Sequence, residues 1–181
     1  MSNQQLNIGI IIGSTREGRV SPQVASWVKS EADKRGDALY EVLDVKSFNL
    51  PLLGESSETK GINDWNNKLK EMDGFVFIVG EYNHSLTASL KNALDLARDP
   101  WHNKSAGIVS YGSVGGTRAA EHLRGILGEL QVADVRTHVA LSMFTDFENW
   151  STFKPQMLHL DQLNLLLDQV LLWGTALKPL R

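Results

Sequence analysis

Three short segments carry the residue types that can do chemistry. In "GSTREGRV", Gly13 to Val20, small residues, the hydroxyls of Ser14 and Thr15 and the guanidinium groups of Arg16 and Arg19 follow an apolar run and precede Ser21 and Pro22. Unpaired N–H groups at a helix N-terminus, the positive end of its dipole and forked arginines together attract a phosphate. The segment has neither the lysine of "GxxxxGK[ST]" nor the pattern "GxGxxG". A plain strand-to-helix turn with two solvated arginines has the same composition.

The second segment, "GEYNHSL", runs from Gly80 to Leu86 and presents an acid, an aromatic ring, an amide and an imidazole at Glu81, Tyr82, Asn83 and His84. Such a turn can offer backbone groups edge-on to a planar ring while Tyr82 covers one end, and it can equally be only a turn. His84 reads as a pocket wall or a helix-entry residue, since no cysteine and no suitably spaced acid accompanies it. The third segment, "SYGSVGGTR", spans Ser110 to Arg118 and puts Gly112, Gly115 and Gly116 after an apolar run, where backbone can approach a ligand closely. No metal centre is expected, because His84, His102, His122, His138 and His159 are scattered and there is no cysteine.

These segments need a frame that sets them side by side. Apolar runs at Leu6 to Ile12, Ala38 to Val45, Phe75 to Gly80, Ser105 to Tyr111 and Asp134 to Leu141 read as five strands. Between them, helical spacing predicts helices from Ser21 as N-cap, burying Val24, Trp27, Val28 and Ala32; over Ile62, Trp65, Leu69 and Met72; from Leu86 to Arg98, stopped by Pro100; and from Thr117 to Leu130. Residues 46–60 read as a loop, and a last helix is expected from Pro155 to Trp173, apolar on nearly every side. Strict alternation of five strands and five helices fits an α/β, doubly wound, flavodoxin-like parallel sheet of order 2-1-3-4-5, with ligands at the carboxyl ends of the strands. The three segments follow strands one, three and four, at that edge.

The chain has 181 residues, 42% of them hydrophobic, enough for one domain spanning 1–181. A net charge of -3, from 18 basic and 21 acidic side chains, argues against nucleic acid or a polybasic membrane surface. "MSNQQLN" has no basic n-region and the run Ile8 to Ile12 is too short to span a bilayer, so a cytoplasmic protein is expected. The crowded apolar faces of the last helix predict a homodimer or a homotetramer.

At these residues the sequence resembles the NADPH-dependent FMN reductase family, flavodoxin-like enzymes that include quinone, azo-dye and chromate reductases. The matching stretches are "GSTREGR" (13–19), "EYNHSLTASLKNALD" (81–95) and "SYGSVGG" (110–116), within a resemblance covering about residues 6–141. It implies non-covalent FMN, its phosphate at Ser14, Arg16, Arg19 and Ser21. The ring would lie against Glu81, Tyr82, Asn83 and His84 on one side and Ser110, Tyr111 and Gly112 on the other, with Gly115 in the same loop. NADPH or NADH would donate hydride and a small acceptor (quinone, flavin, azo compound or metal oxyanion) would take it in a ping-pong, two-electron reaction without a catalytic side chain. Arg19 and Arg118 are candidates to meet a 2'-phosphate, and residues 46–60 and 142–154, with Phe144, Phe147 and Trp150, are candidates to line the acceptor site. The family usually has proline before Glu-Tyr-Asn, and Gly80 in its place implies a freer second loop. Two other classes compete: a one-electron flavodoxin-type carrier, which the mild charge fits poorly, and a flavin-free module that binds a phosphorylated ligand.

Overall fold

The computed structural model describes residues 5–56 and 58–181. The strands β1 (Leu6–Ile12), β2 (Ala38–Asp44), β3 (Gly74–Gly80), β4 (Lys104–Gly112) and β5 (Val132–Ser142) form one parallel sheet in the order β2-β1-β3-β4-β5. Two of the inner strands, β1 and β3, read "LNIGIII" and "GFVFIVG" and are buried almost throughout, as a parallel sheet covered on both faces requires. Helices α1 (Ser21–Arg35) and α5 (Leu158–Leu177) close one face through Val24, Val28, Leu163, Leu166 and Val170. On the other face α2 (Lys60–Glu71), α3 (Ala88–Asp95) and α4 (Thr117–Glu129) pack around Trp65, Phe75, Phe77 and Trp101. The chain leaves β1 for the sheet edge and returns past it to β3, so the segments after these two strands depart to opposite faces and leave a crevice between them.

The element order is the expected one, and several ends differ for identifiable reasons. Val20, not Ser21, flanks α1, and the Val20 side chain makes no capping hydrogen bond. The Ser21 hydroxyl is turned inward, 2.5 Å from Ser14 Oγ, while Pro22 removes one N–H that would otherwise need a partner. Trp27 is only partly buried, edge-on to Phe153. Helix α3 is shorter than Leu86 to Arg98: Thr87 Oγ1 accepts the Leu90 N–H at 3.3 Å and so starts it, and it stops at Asp95. Beyond its end the buried Trp101 donates its indole N–H to the carbonyls of Leu94 and Ala97, at 3.2 and 2.9 Å. The loop over 46–60 contains a 3-10 turn at Val45–Phe48. Its Ser57 lies outside the described residues, as do residues 1–4 of "MSNQQLN".

An unforeseen hairpin, β6 (Phe147–Glu148) with β7 (Thr152–Phe153), occupies the aromatic connection before α5. Its turn places Asn149 and Trp150 at φ 49° and 58°, a conformation that hydrophobic periodicity does not signal. Helix α5 starts at Leu158 instead of Pro155, after the buried Asp146 carboxylate has taken the Gln156 N–H at 3.1 Å. One side of α5 is buried on the sheet, while Leu158, Leu165, Leu172 and Trp173 are exposed. Among the described residues no helix is long and apolar enough to cross a membrane.

At the opposite edge of the sheet, Lys104 is buried at the start of β4, with Nζ 2.5 Å from the Leu69 carbonyl at the end of α2 and 5.5 Å from the Phe75 ring centre. Burial, reinforced by Arg181 and opposed by Asp73, pushes its pKa down to about 8. The folded state therefore bears a buried charge below about pH 8 and sheds it before the unfolded chain does, so stability rises with pH between there and the ordinary lysine value. Denaturant unfolding should show the parent gaining about 2 kcal/mol more than Lys104→Met between pH 7.5 and 9.5. Equal gains would show that Lys104 titrates as an exposed lysine does.

Candidate functional site

A cavity of about 420 Å³ opens at the carboxyl ends of β1, β3 and β4. The segment after β1 gives it Ser14, Thr15, Arg16 and Val20; the segment after β3 gives Gly80, Glu81, Tyr82, Thr87, Ala88 and Ser89; Tyr111, Gly112, Ser113 and Met143 complete it.

The first loop is held open by its own polar groups. Arg19 makes a two-pronged pair with Asp44 at the end of β2, at 2.7 and 2.5 Å, and donates as well to the Ser14 carbonyl. That pairing raises the Arg19 pKa against the cost of burial. The Gly13 carbonyl accepts from Thr87 Oγ1 at 2.6 Å and Ser89 Oγ at 2.8 Å, which fastens the loop to the start of α3. A Cβ at Gly13 would lie 2.9 Å from Leu90, so only glycine allows this approach. Among the described residues, no backbone carbonyl accepts from the N–H groups of Ser14 through Gly18. Arg16 is exposed at the cavity and, among the described residues, bonds only the adjacent Glu17 carbonyl, at 3.1 Å. The loop thus offers a row of N–H donors and one guanidinium to an anion.

In the second loop the Glu81 side chain is 6% exposed and pairs with Arg118, whose Nε lies 2.8 Å away. It also accepts the Arg118 N–H at 3.2 Å, in the first turn of α4. Burial opposes its charge, and Arg118 with the N–H groups of Arg118 and Ala119 outweighs that, holding the carboxyl below its ordinary range. Tyr82 and Ser85 exchange backbone bonds at 2.8 and 2.9 Å around Asn83 and His84, both at positive φ (47° and 66°). This is a tight two-residue hairpin turn that aims both side chains at solvent, away from any pocket wall or helix entry. Gly80 has a packing reason: a Cβ there would sit 2.7 Å from the Tyr111 hydroxyl, so Gly80 admits the ring that walls the cavity.

In the third loop Ser110 is buried and donates to the Gly115 carbonyl at 2.5 Å. Gly115 and Gly116 take φ of 75° and 71°, and a Cβ at Gly116 would come within 2.7 Å of the Tyr111 carbonyl. The Met143 N–H donates to the Gly112 carbonyl at 2.9 Å and brings the Met143 side chain to the cavity.

Six of the residues singled out from sequence therefore meet at one cavity: Ser14, Arg16, Glu81, Tyr82, Tyr111 and Gly112. Arg19, Ser21, Asn83, His84, Ser110 and Gly115 are not on its wall. Arg19 and Arg118, considered for a 2'-phosphate, are each paired with a carboxylate. Of the candidate acceptor-site residues, Phe147 is buried beside Tyr111, ring centres 6.0 Å apart, and Phe144 meets Trp150 edge to face on the surface, ring centres 4.9 Å apart. Sequence reasoning missed Thr87, Ala88, Ser89 and Met143. Thr87 is a threonine N-cap before a helical pattern, a signal that was available; Met143, just past a strand end, carries none.

A sequence model of the family described as NADPH-dependent FMN reductase matches residues 6–146. An NAD(P)H-dependent FMN reductase of Schizosaccharomyces pombe is 34% identical over 146 residues, which is 76% of this chain and 73% of that one. Another, from Saccharomyces cerevisiae, is 30% identical over 145 residues, 70% of this chain and 76% of that one. Among solved structures, the flavoenzyme NAD(P)H:(acceptor) oxidoreductase FerB from Paracoccus denitrificans superposes with a TM-score of 0.77 at 16% identity, over 95% of this chain and 98% of that one, a likeness of fold.

Proposed function

This chain belongs to the NADPH-dependent FMN reductase family, and on that footing we propose that its cavity holds FMN and that it is an NAD(P)H-dependent oxidoreductase reducing a small acceptor. The observation that carries the reading is the first loop, whose donors and Arg16 open into the same cavity as a slot between Tyr82 and Gly112. The residues fit the group: Ser14, Thr15, Arg16 and the N–H groups of 14–18 would take its phosphate. Tyr82, Tyr111, Gly112 and Ser113 would border its ring. Bound FMN supplies the two-electron chemistry, between a nicotinamide donor and the acceptor. The protein binds, orients and excludes water. Glu81 enters no proton transfer in this scheme, because Arg118 and the α4 N-terminus hold its charge. Arg19 and Ser21 brace the loop and leave phosphate contact to Arg16. The whole chain acts as one domain, a reading supported by both hydrophobic clusters sharing one sheet.

Donor and acceptor use the open side of the cavity in turn. Initial rates over both NADPH and a quinone should give parallel double-reciprocal lines; intersecting lines would mean that the two are bound together. The exposed Leu158, Leu165, Leu172 and Trp173 of α5 support a homodimer or homotetramer. Light scattering should then return at least twice the 20.1 kDa chain mass at micromolar concentration, and a monomer mass would refute it.

Arg16→Ala tests the phosphate reading directly. FMN affinity should fall by roughly tenfold to a hundredfold, while riboflavin, with the same ring and no phosphate, should bind as to the parent. Added salt should weaken FMN binding more in the parent than in the variant. No change for either ligand would make Arg16 a solvated surface residue.

A further inference from the structure

We propose that His138, on β5 behind the glycine loop, is a positioning residue for the cavity: its Nε2–H holds Ser110, and Ser110 holds the Gly115 carbonyl that fixes residues 112–116. The inference rests on the function proposed above.

The hydrogen bonds assign the donors. Ser110 is fully buried, with Oγ 2.5 Å from the Gly115 carbonyl oxygen and 2.7 Å from His138 Nε2. A serine hydroxyl has one proton and a carbonyl can only accept, so the proton goes to Gly115. Nε2 must then carry a hydrogen and donate it to Ser110 Oγ. In the neutral ring Nδ1 is left as the unprotonated nitrogen.

The surroundings keep the ring in that state. Arg124 and Glu121 face it from α4, and Asp134 of β5 pairs with Arg124. Arg124 also donates to the Val135 carbonyl at 3.0 Å, so its charge is fixed beside the ring. Burial first, then Arg124, lowers the His138 pKa below its ordinary value, with Glu121 acting the other way. Both effects favour the neutral imidazole.

The loop needs such an anchor. Its sequence is Gly112-Ser113-Val114-Gly115-Gly116, with Val114 exposed. Its other ties include the Gly115 N–H to the Gly112 carbonyl at 3.1 Å, the Met143 N–H to the same carbonyl at 2.9 Å, Ser142 Oγ to the Ser113 carbonyl at 3.3 Å and Thr117 Oγ1 to the Val114 carbonyl at 3.4 Å, none of which holds the Gly115 carbonyl. Two consecutive glycines at positive φ have many alternative conformations of similar energy. A Cβ at Gly115 would sit 2.9 Å from Ala140 Cβ, so the loop also lies flat on β5, and Ser110 fastens it there from below. Gly112 and Ser113 of this loop form the cavity wall.

The test compares FMN and riboflavin binding, by fluorescence titration, in the parent, Ser110→Ala, His138→Leu and His138→Gln, and adds 15N NMR of the parent's histidine rings. Ser110→Ala and His138→Leu should weaken both flavins alike, by about fivefold or more, since one hydrogen bond of ordinary strength is lost on the ring side of the cavity. The Gln amide N–H can stand where Nε2–H stood, so His138→Gln should bind both within about twofold of the parent. The NMR signals should show His138 neutral and Nε2-protonated at pH 8, a result independent of any variant's folding. An Nδ1-protonated ring, parent-like binding in His138→Leu, equal losses in the Leu and Gln variants, or loss of FMN alone would each overturn the proposal. A parent that binds neither flavin would instead overturn the flavin-binding function, and this inference with it.

Discussion

The carboxylate of Glu81 is the constraint on which the upper edge of the molecule depends. Nearly removed from water, a lone carboxylate would be costly to keep ionised, and its charge persists because Arg118 and the first N–H groups of α4 converge on it. That convergence ties the end of β3 to the start of α4, across the end of β4. It leaves the intervening backbone, Gly80 to Tyr82 and Tyr111 to Ser113, as two facing walls. Were the carboxylate neutral or absent, the second and third loops would be joined mainly by the single backbone bond from the Glu81 N–H to the Tyr111 carbonyl, 3.0 Å long.

The same economy governs the other two loops. Gly13 is fastened by two hydroxyls of α3, Ser14 by Arg19 and Ser21, and Gly115 by Ser110. The side chains with the strongest hydrogen-bonding capacity are directed inward, at the protein's own backbone. Toward the cavity, beside the Arg118-paired Glu81, lie backbone N–H, small and apolar residues, two tyrosines, a methionine and Arg16. Such a surface suits the proposed role, in which the protein binds and orients a ligand that brings its own chemistry.

Gly80 shows how a local departure is absorbed. A residue in that position that locked the backbone would make the turn stiff by itself. Here stiffness comes from elsewhere: the Tyr111 ring packs where a side chain would be, and the Tyr82 to Ser85 bonds close the turn.

The sequence by itself determined the strands, the helices that alternate with them and the edge at which the ligand loops meet. Those features follow from periodicities of two and 3.6 residues and from glycine and proline positions, all properties of neighbouring residues. It likewise marked Ser14, Arg16, Tyr82 and Gly112, because a loop between a buried strand and a helix is confined to the strand's carboxyl end. Only the tertiary structure decided which of two similar arginines faces the cavity. Arg16 does, and Arg19 does not, because Asp44, 25 positions away, ends the neighbouring strand within reach of it. The partners of Glu81 and Ser110 lie 37 and 28 residues distant, and no local pattern announces them. The hairpin at 147–153 was hidden for the same reason, since Gln23 of α1 bonds the backbone of Ser151 and Phe153. Each is set by a long-range hydrogen bond or a ring packed from another element, and such contacts exist only once strand register and helix placement have brought the two residues to the same face.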